Sequence, residues 1–494
     1  MVKIMKLEQL LDNLDYEMIQ GTLQQDVSQI DYDSRQVKEN SLFVCIPGAR
    51  VDGHDFINQV IEKGAQVIVV EKDVPCQEGI TYIKVKEARY ALALLSCAFY
   101  DHPSRKMTVI GITGTKGKTT TSYMVESILH QAGKKVGIIG TIGSVVNGVY
   151  KKTKNTTPES FELQKLMHEM VESGCEYCVM EVSSQGLMLN RVAGIDFDYG
   201  VFTNLSPDHI GEHEHHSFEH YMECKKMLFQ MCKVGLFNKD DDHYNDMIQD
   251  AQCLIKTFSM KELSDLQAYD SHLSRGKGTL GVAFKTKGLI DDQFEVQIPG
   301  EFSVYNSLVA IMLCHELHIE TRYIQAALQL VRVKGRGEIV PIHQDYTVMI
   351  DYAHNGVSFE NILETIQAYH PQRIICIYGS VGERTQVRRY EMGEIVSKYQ
   401  AFSILTADNP AHEPISQINQ DIIKGIQVHN GQYIEIEDRQ EAIEYALDHG
   451  KHGDVILCLG KGHEDYQLIG DEKVPFSERE IIEHYFVNKS RIHI

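Results

Sequence analysis

No stretch of 18 or more apolar residues occurs in this 494-residue chain, so no membrane-crossing helix is expected. A basic excess is missing as well. The 48 Lys and Arg face 69 Asp and Glu, a net charge of −21. That argues against a nucleic-acid partner, which needs a basic face to displace counterions from its phosphates. It leaves phosphorylated small molecules open, because backbone N–H groups and a few cations can hold a phosphate on an acidic protein. The 11 Cys are odd in number and scattered, with no disulfide framework, which fits a reducing, cytoplasmic setting. Cys175 and Cys178 form a lone CxxC running into an apolar strand. With no second pair, they read as buried free thiols. There is no internal repeat and no low-complexity tract. The opening MVKIMKLEQLLDNL lacks a long apolar centre and a small-residue cleavage site, and reads as the start of an amphipathic helix rather than a signal peptide.

What is present has ordinary globular proportions, 43% hydrophobic and 24% charged. The length suggests about three domains. Residues 1–103 carry short strand-like runs, LFVCIPG and AQVIVVE, and end at a linker-like YDHPSRK. Residues 104–334 open on the apolar strand MTVIGI, a Gly-rich turn and a helix with Met124, Val125, Ile128, Leu129 and Ala132 on one face, capped by Gly133. KKVGIIG, YCVMEV and YGVFTN are further strands. Residues 335–494 alternate TVMID, RIICIY, FSILT, YIEIE and DVILCLG with helices. The expected fold is therefore α/β in three domains: a central P-loop ATPase-like parallel-sheet domain and a Rossmann-like C-terminal domain follow the first. Ligands in such sheets lie beyond the C-terminal ends of the strands.

The turn after MTVIGI reads TGTKGKTTT. Strand, glycine turn and helix N-terminus are the context that cradles phosphate. Gly114 and Gly117 permit close backbone approach, and Thr115, Lys116 and Thr120 complete the loop. Lys118 is placed for the β/γ-phosphates and Thr119 for Mg²⁺. The common spacing G-x-x-x-x-G-K-[ST] is not met, since its first Gly falls on Ile112.

TGTxGKT resembles the ATP loop of the Mur ligases and of their folylpolyglutamate synthetase relatives, with Lys116 where Asn is common. The resemblance runs through nearly the whole chain. YDSRQVKENSLFVCIPG is similar to the family's uridine-nucleotide segment and implies that Ser34 and Arg35 lie near a UDP group. NTTPES implies substrate contacts from Thr156 and Thr157. EVSSQGLMLNR is similar to the family's EVSSHAL…R; it implies Glu181 as a Mg²⁺ ligand and Ser183 and Arg191 as substrate contacts, with Gln185 in place of His. In FTNLSPDHIGEHEHHSFEHYMECKKMLF the resemblance gives His209 to a second Mg²⁺ and puts Lys225 where the family carries a carbamylated lysine, an N6-carboxylysine. GEFSVYNSLVAI, KGRGE and DYAHN imply ATP contacts from Asn306, Arg336, Asp351 and His354. The run His209, His213, His215, His216 and His220 raises a zinc site as an alternative. With no spaced Cys pair and no H-E-x-x-H, it reads as a polar loop.

The resemblance implies a cytoplasmic, monomeric ATP-dependent ligase. ATP would phosphorylate a terminal carboxylate of UDP-N-acetylmuramoyl-L-alanyl-D-glutamate, and the amine of a free diamino acid would attack the acyl phosphate. Lys118, His209 and Lys225 are the catalytic candidates. Asp408, Asn409 and Ala411, with Gly460 and Glu464 of GKGHE, are the amino-acid candidates. Family members that take diaminopimelate carry DNPR, whose Arg can grip the distal carboxylate. Ala411 stands in that place, which points to L-lysine; the GKGHEDYQ segment points the other way. Two rival readings are a ligase with another acceptor, folylpolyglutamate-synthetase-like, and a non-catalytic nucleotide-binding member.

Overall fold

The computed structural model describes residues 4–48, 51–146, 148–211, 214–342, 345–383 and 386–492. Two compact units divide the chain, Met1–Phe258 and Ser259–Ile494.

The first unit holds two sheets. In the order of pairing, the smaller runs Glu17–Gln20, Thr81–Lys84, Ala65–Val70, Ser41–Val44, Gln29–Asp31. Only its first pair is antiparallel. Val67, Ile68, Val69 and Val70 are all buried, the unbroken apolar pattern of a parallel strand covered on both faces. The N-terminal helix is shorter than the sequence pattern suggests. It spans only Leu7–Leu10, because Met5–Lys6 pairs as a strand with Asp26–Val27.

The larger sheet puts Thr108–Thr113 between Tyr177–Glu181 and Phe197–Phe202, all parallel. Val136–Ile139 lies beyond the first neighbour and Cys232–Asn238 and Leu254–Ser259 beyond the second. The helix Lys118–Gln131 buries Met124, Val125, Ile128 and Leu129, as their spacing requires. It stops where Gly133 takes a left-handed φ of +76° and the Lys134 N–H reaches back to the Leu129 carbonyl at 2.9 Å. Cys232–Asn238 and Leu254–Ser259 have no counterpart among the strands expected from the sequence.

The second unit begins with an antiparallel meander, Leu266–Gly276, Thr279–Gly288 and Gln293–Val296, followed by the buried helix Phe302–Glu316. Its sheet is ordered Glu338–Val340, Thr347–Asp351, Val455–Leu459, Ile374–Tyr378, Phe402–Leu405, Tyr433–Glu435. Every pair is parallel except the first. The five strands read from the C-terminal sequence are all present. The chain thus has a three-domain α/β architecture, each domain built on a sheet with its own apolar core. Among the described residues no helix is long and apolar enough to cross a membrane. Cys175 and Cys178 are buried and form no disulfide.

Candidate functional site

The strand Thr108–Thr113 ends in the loop that leads to Lys118. Gly114 has φ +148°, and a Cβ there would lie 2.0 Å from Thr203 Oγ1, so only glycine fits. Lys118 folds back over the loop, its Nζ 2.8 Å from the Gly114 carbonyl oxygen and 3.0 Å from that of Thr115. Lys225 donates to the same Gly114 oxygen at 2.9 Å. Two lysine Nζ atoms therefore share one carbonyl. Lys225 is 1% exposed and has no carboxylate partner among the described residues. Burial, followed by the nearby Lys118 charge, holds its amine well below the usual lysine range. The arrangement is short of negative charge, and that is what a phosphate-binding loop requires before its ligand arrives.

Three residues not singled out by sequence position this loop. Asn204 accepts the Lys116 N–H at 2.9 Å and donates to the Lys116 carbonyl at 3.0 Å, while the Lys116 side chain points out, exposed. Thr203 Oγ1 also donates to that carbonyl, at 2.7 Å. The buried Tyr221 hydroxyl lies 3.2 Å from Thr115 Oγ1, and its ring packs under Lys225 Nζ at 4.4 Å. Tyr221 and Lys225 are four residues apart on the helix Phe218–Lys226 and so share a face. That periodicity was the signal available in the sequence. Thr119 and Thr120 are buried in the first turn of their helix.

One strand over, Tyr177–Glu181 ends in the second cluster. The buried Glu181 carboxylate accepts the Thr141 N–H and hydroxyl, both at 3.0 Å, and Thr141 Oγ1 lies 3.0 Å from Thr156 Oγ1. Thr157 Oγ1 donates to the Glu181 carbonyl at 2.9 Å and takes the Ser183 N–H at 3.0 Å. Ser183 caps the helix Ser184–Met188, where Gln185 is half-buried. Arg191 donates to the Thr157 carbonyl at 3.1 Å and to Glu159 at 3.0 Å, and Arg89 holds the other Glu159 oxygen at 2.9 Å. Thr156, Thr157, Glu181, Ser183 and Arg191 are thus brought together. His209 is not drawn into this cluster. Its side chain is 54% exposed, in a left-handed conformation, with Nδ1 3.0 Å from Glu214. Arg35 folds onto Asp33 at 2.7 Å on the exposed surface, and the Ser34 carbonyl accepts Lys63. His213 lies outside the described residues.

In the second unit a third cluster forms beyond Thr347–Asp351. Asp351 accepts the Gly337 and Ala353 N–H groups at 2.7 and 2.8 Å, and burial pushes its carboxyl up. Arg336 stacks over the Tyr352 ring at 4.9 Å, with His354 and His463 against the same ring. Gly335 is obligatory because a Cβ would lie 2.1 Å from the Gly462 backbone. Asn306 is buried on the helix Phe302–Glu316. Burial and then Arg336 push His463 down to about 4. The folded pKa is below the unfolded value of about 6.5, so this group's contribution is intact above pH ~6.5 and lost as pH falls towards 4. His463→Leu is expected to flatten the stability–pH curve across that window, as measured by urea unfolding at stepped pH.

The fourth cluster lies at the ends of Phe402–Leu405 and Val455–Leu459. Lys461, fully buried and missed in the sequence, donates to Asn409 and Glu464 at 2.8 Å each and lies 3.7 Å from Asp408. Asn409 also donates to Glu464 at 2.9 Å. Gly460 leaves room for Asp408, whose Oδ2 would be 2.8 Å from a Cβ. Ala411 has φ +51°, and its backbone pairs with Leu468 and Gly470 at 3.1 and 2.8 Å. Asp408, Asn409, Gly460 and Glu464 converge, while Ala411 contributes mainly its main chain.

Against known families, residues 26–100 match the Mur ligase family catalytic domain, 112–314 the Mur ligase middle domain and 335–462 the Mur ligase, glutamate ligase domain. The UDP-N-acetylmuramoyl-L-alanyl-D-glutamate–2,6-diaminopimelate ligase of Caldanaerobacter subterraneus subsp. tengcongensis is 42% identical over 99% of this chain and 100% of its own. The ligase of the same name from Clostridium perfringens is 41% identical over 97% and 99%. A solved structure of a UDP-N-acetylmuramoyl-L-alanyl-D-glutamate–2,6-diaminopimelate ligase superposes with a TM-score of 0.73 at 24% identity, covering 99% of this chain and 100% of that one. These relatives lend no support to the preference for L-lysine drawn from Ala411. That preference rests on one side chain standing for a whole recognition surface.

Proposed function

The chain belongs to the Mur ligase family, whose members are ATP-dependent enzymes that form amide bonds, and on that premise we propose that it joins meso-diaminopimelate to UDP-N-acetylmuramoyl-L-alanyl-D-glutamate in peptidoglycan precursor synthesis. The observation that carries the chemistry is the convergence of Lys118 and Lys225 on the Gly114 oxygen. A carboxylate is a poor electrophile until one oxygen becomes a leaving group. Transfer of the γ-phosphoryl of ATP to a substrate carboxylate oxygen yields ADP and an acyl phosphate. The amine nitrogen then attacks the carbonyl carbon, and collapse of the tetrahedral adduct expels phosphate as the amine loses its proton. Both steps concentrate negative charge, and Lys118 opposes it.

The residues present suit Mg²⁺. Glu181 offers a buried carboxylate beside the loop, and Thr119 a hydroxyl at the helix start. Lys225, buried and kept towards its neutral form, suits addition of CO₂, which would turn an unpaired cation into an anionic ligand. His209 is the remaining ligand in this reading. The ion supplies positive charge against the phosphates. ATP is assigned to Gly114–Thr120 with Asn306, Arg336, Asp351 and His354. The UDP-substrate is assigned to Ser34, Arg35, Thr156, Thr157, Ser183, Gln185 and Arg191, and the amino acid to the Asp408, Asn409 and Glu464 cluster. Residues 1–103, 104–334 and 335–494 are the corresponding domains. Since ATP and UDP-sugars are cytoplasmic compounds, so is the proposed reaction.

Support for diaminopimelate comes from near full-length likeness at 41–42% identity; the Asp408 and Glu464 carboxylates, bridged by Lys461, suit the α-ammonium of either amino acid. The test is phosphate release with ATP, Mg²⁺ and the UDP-muramoyl dipeptide, with each amino acid offered separately. Turnover with diaminopimelate and not L-lysine is expected. Turnover with L-lysine alone overturns the substrate, and no acceptor-dependent turnover overturns the ligase reading.

A further inference from the structure

The histidine run after His209 does not behave uniformly. His216 is exposed, as expected of a polar loop, but His215 is completely buried and His220 half-buried. His220 and Cys224 are four residues apart on Phe218–Lys226 and face the same side. His215 comes to meet them. One ligand atom from each of His215, His220 and Cys224 lies within 4.8 Å of the others. His215 Nε2 is 2.8 Å from Ser184 Oγ, which leaves Nδ1 as its second polar atom. That buried Nδ1 has no hydrogen-bond partner, and neither does the buried Nδ1 of His220. Two unpaired imidazole nitrogens beside a buried thiol are unusual, because buried polar atoms nearly always find partners.

We propose that His215, His220 and Cys224 bind one zinc-like divalent transition-metal ion at a site distinct from the magnesium position of the phosphate loop. The donor set is two imidazoles and a thiol with no carboxylate, which disfavours Mg²⁺ and Ca²⁺ and suits zinc. Zn–N bonds of about 2.0–2.1 Å and Zn–S bonds of about 2.3 Å put tetrahedral ligand atoms roughly 3.3–3.6 Å apart. The cluster must close by about 1 Å from its widest separation, which side-chain rotation can supply. With Nε2 held by Ser184, the buried Nδ1 that has no hydrogen-bond partner is the lone pair His215 offers. The Ser184 hydroxyl fixes its ring as an outer-shell partner does. A water completes the coordination.

The position gives the ion a structural task. The His215 N–H donates to the His209 carbonyl at 3.0 Å, and Cys224 immediately precedes Lys225. Ser184 opens the helix that follows Glu181. An ion here would tie the segment bearing His209, the helix bearing Lys225 and the turn after Glu181 into one piece.

The test uses the full-length protein, stripped with chelator and titrated with Co²⁺ in excess Mg²⁺. One equivalent is expected to bind, with thiolate-to-cobalt charge-transfer absorption in the near ultraviolet and the visible bands of tetrahedral cobalt, and Zn²⁺ should displace it. Cys224→Ser should remove the charge-transfer band, and His220→Ala should weaken Zn²⁺ binding by more than about 100-fold, since even outer-shell changes cost 10–100-fold. His216→Ala should leave both unchanged. Circular dichroism distinguishes lost ligation from lost folding, and the wild-type spectrum decides independently of any variant. No stoichiometric band in the wild type, or a band that survives Cys224→Ser in a folded protein, overturns the proposal.

Discussion

Lys225→Met is expected to lower kcat by about 10²–10³-fold or more while raising the melting temperature. The first half follows from its position. Lys225 Nζ reaches the carbonyl of Gly114 inside the phosphate loop, and as the carbamate proposed above it would hold the Mg²⁺ that opposes the charge concentrated there, a contribution of that size. The second half follows from the missing partner. Burial with no carboxylate in contact, and with Lys118 on the same oxygen, makes the protonated form of Lys225 costly in the resting protein. The sign is fixed by linkage. The folded pKa lies below the ordinary lysine value of about 10.4, so between the two the unfolded chain binds more protons and folding stability rises with pH. At neutral pH the lysine therefore opposes folding, and methionine removes that opposition. The Tyr221 ring at 4.4 Å returns part of the cost but not a counter-charge. Each kcal/mol recovered is worth about 2–4 °C in a domain of this size. Calorimetry in CO₂-depleted buffer, paired with phosphate release, checks both halves. Bicarbonate should raise wild-type activity and leave the variant unchanged. A variant that is inactive and less stable would show that Lys225 is paired at rest.

Glu478→Leu is expected to destabilise the second unit by about 3–5 kcal/mol, the usual cost of stripping one partner from a buried ion pair. Arg439 is fully buried. Its Nε and Nη2 donate to a single Glu478 oxygen at 2.9 and 2.7 Å, and its remaining hydrogen bonds go to the carbonyls of Ala407 and Leu459 at 3.2 and 2.8 Å. Those carbonyls lie at the ends of two strands, and the next residues are Asp408 and Gly460. The guanidinium is therefore a staple across the mouth of the fourth cluster. Urea unfolding should register the loss, and KM for the amino acid should rise more than kcat falls. The double variant Arg439→Met/Glu478→Leu should recover most of the stability but not the KM, because it removes the stranded charge without restoring the staple.

The two large effects arise from residues of different legibility. Lys225 could be nominated from sequence because it stands in a recognisable segment, yet nothing in the sequence disclosed its missing counter-charge. Arg439 and Glu478 are separated along the chain and follow no motif, so only folding brings them together. The same division runs through the fold. Strands buried on both faces, such as Ile374–Tyr378 and Val455–Leu459, appear as unbroken apolar runs and are readable. The meander from Leu266 to Val296 mixes exposed and buried positions, with a register shift between Tyr269 and His272, and is not. Nothing in the Gly-rich segment around Lys461 marks it as buried, whereas in the fold it is sealed between Asn409 and Glu464. Ala411 is the opposite case. Its side chain carried the argument, while its structural contribution is a left-handed backbone paired to the Leu468–Gly470 hairpin. The histidine run was judged by spacing along the chain, which hides that His215 reaches a helix face already carrying His220 and Cys224.

The amide of Asn204 grips both the N–H and the C=O of residue 116 and leaves its side chain in water. A substitution at position 116 is therefore expected to leave the loop backbone in place, provided Asn204 is kept. The letter that breaks the loop's familiar pattern is the one the fold does not inspect, and the constraint is recorded 88 residues downstream. A search weighting residue 204 above residue 116 would recognise such loops where the local pattern fails.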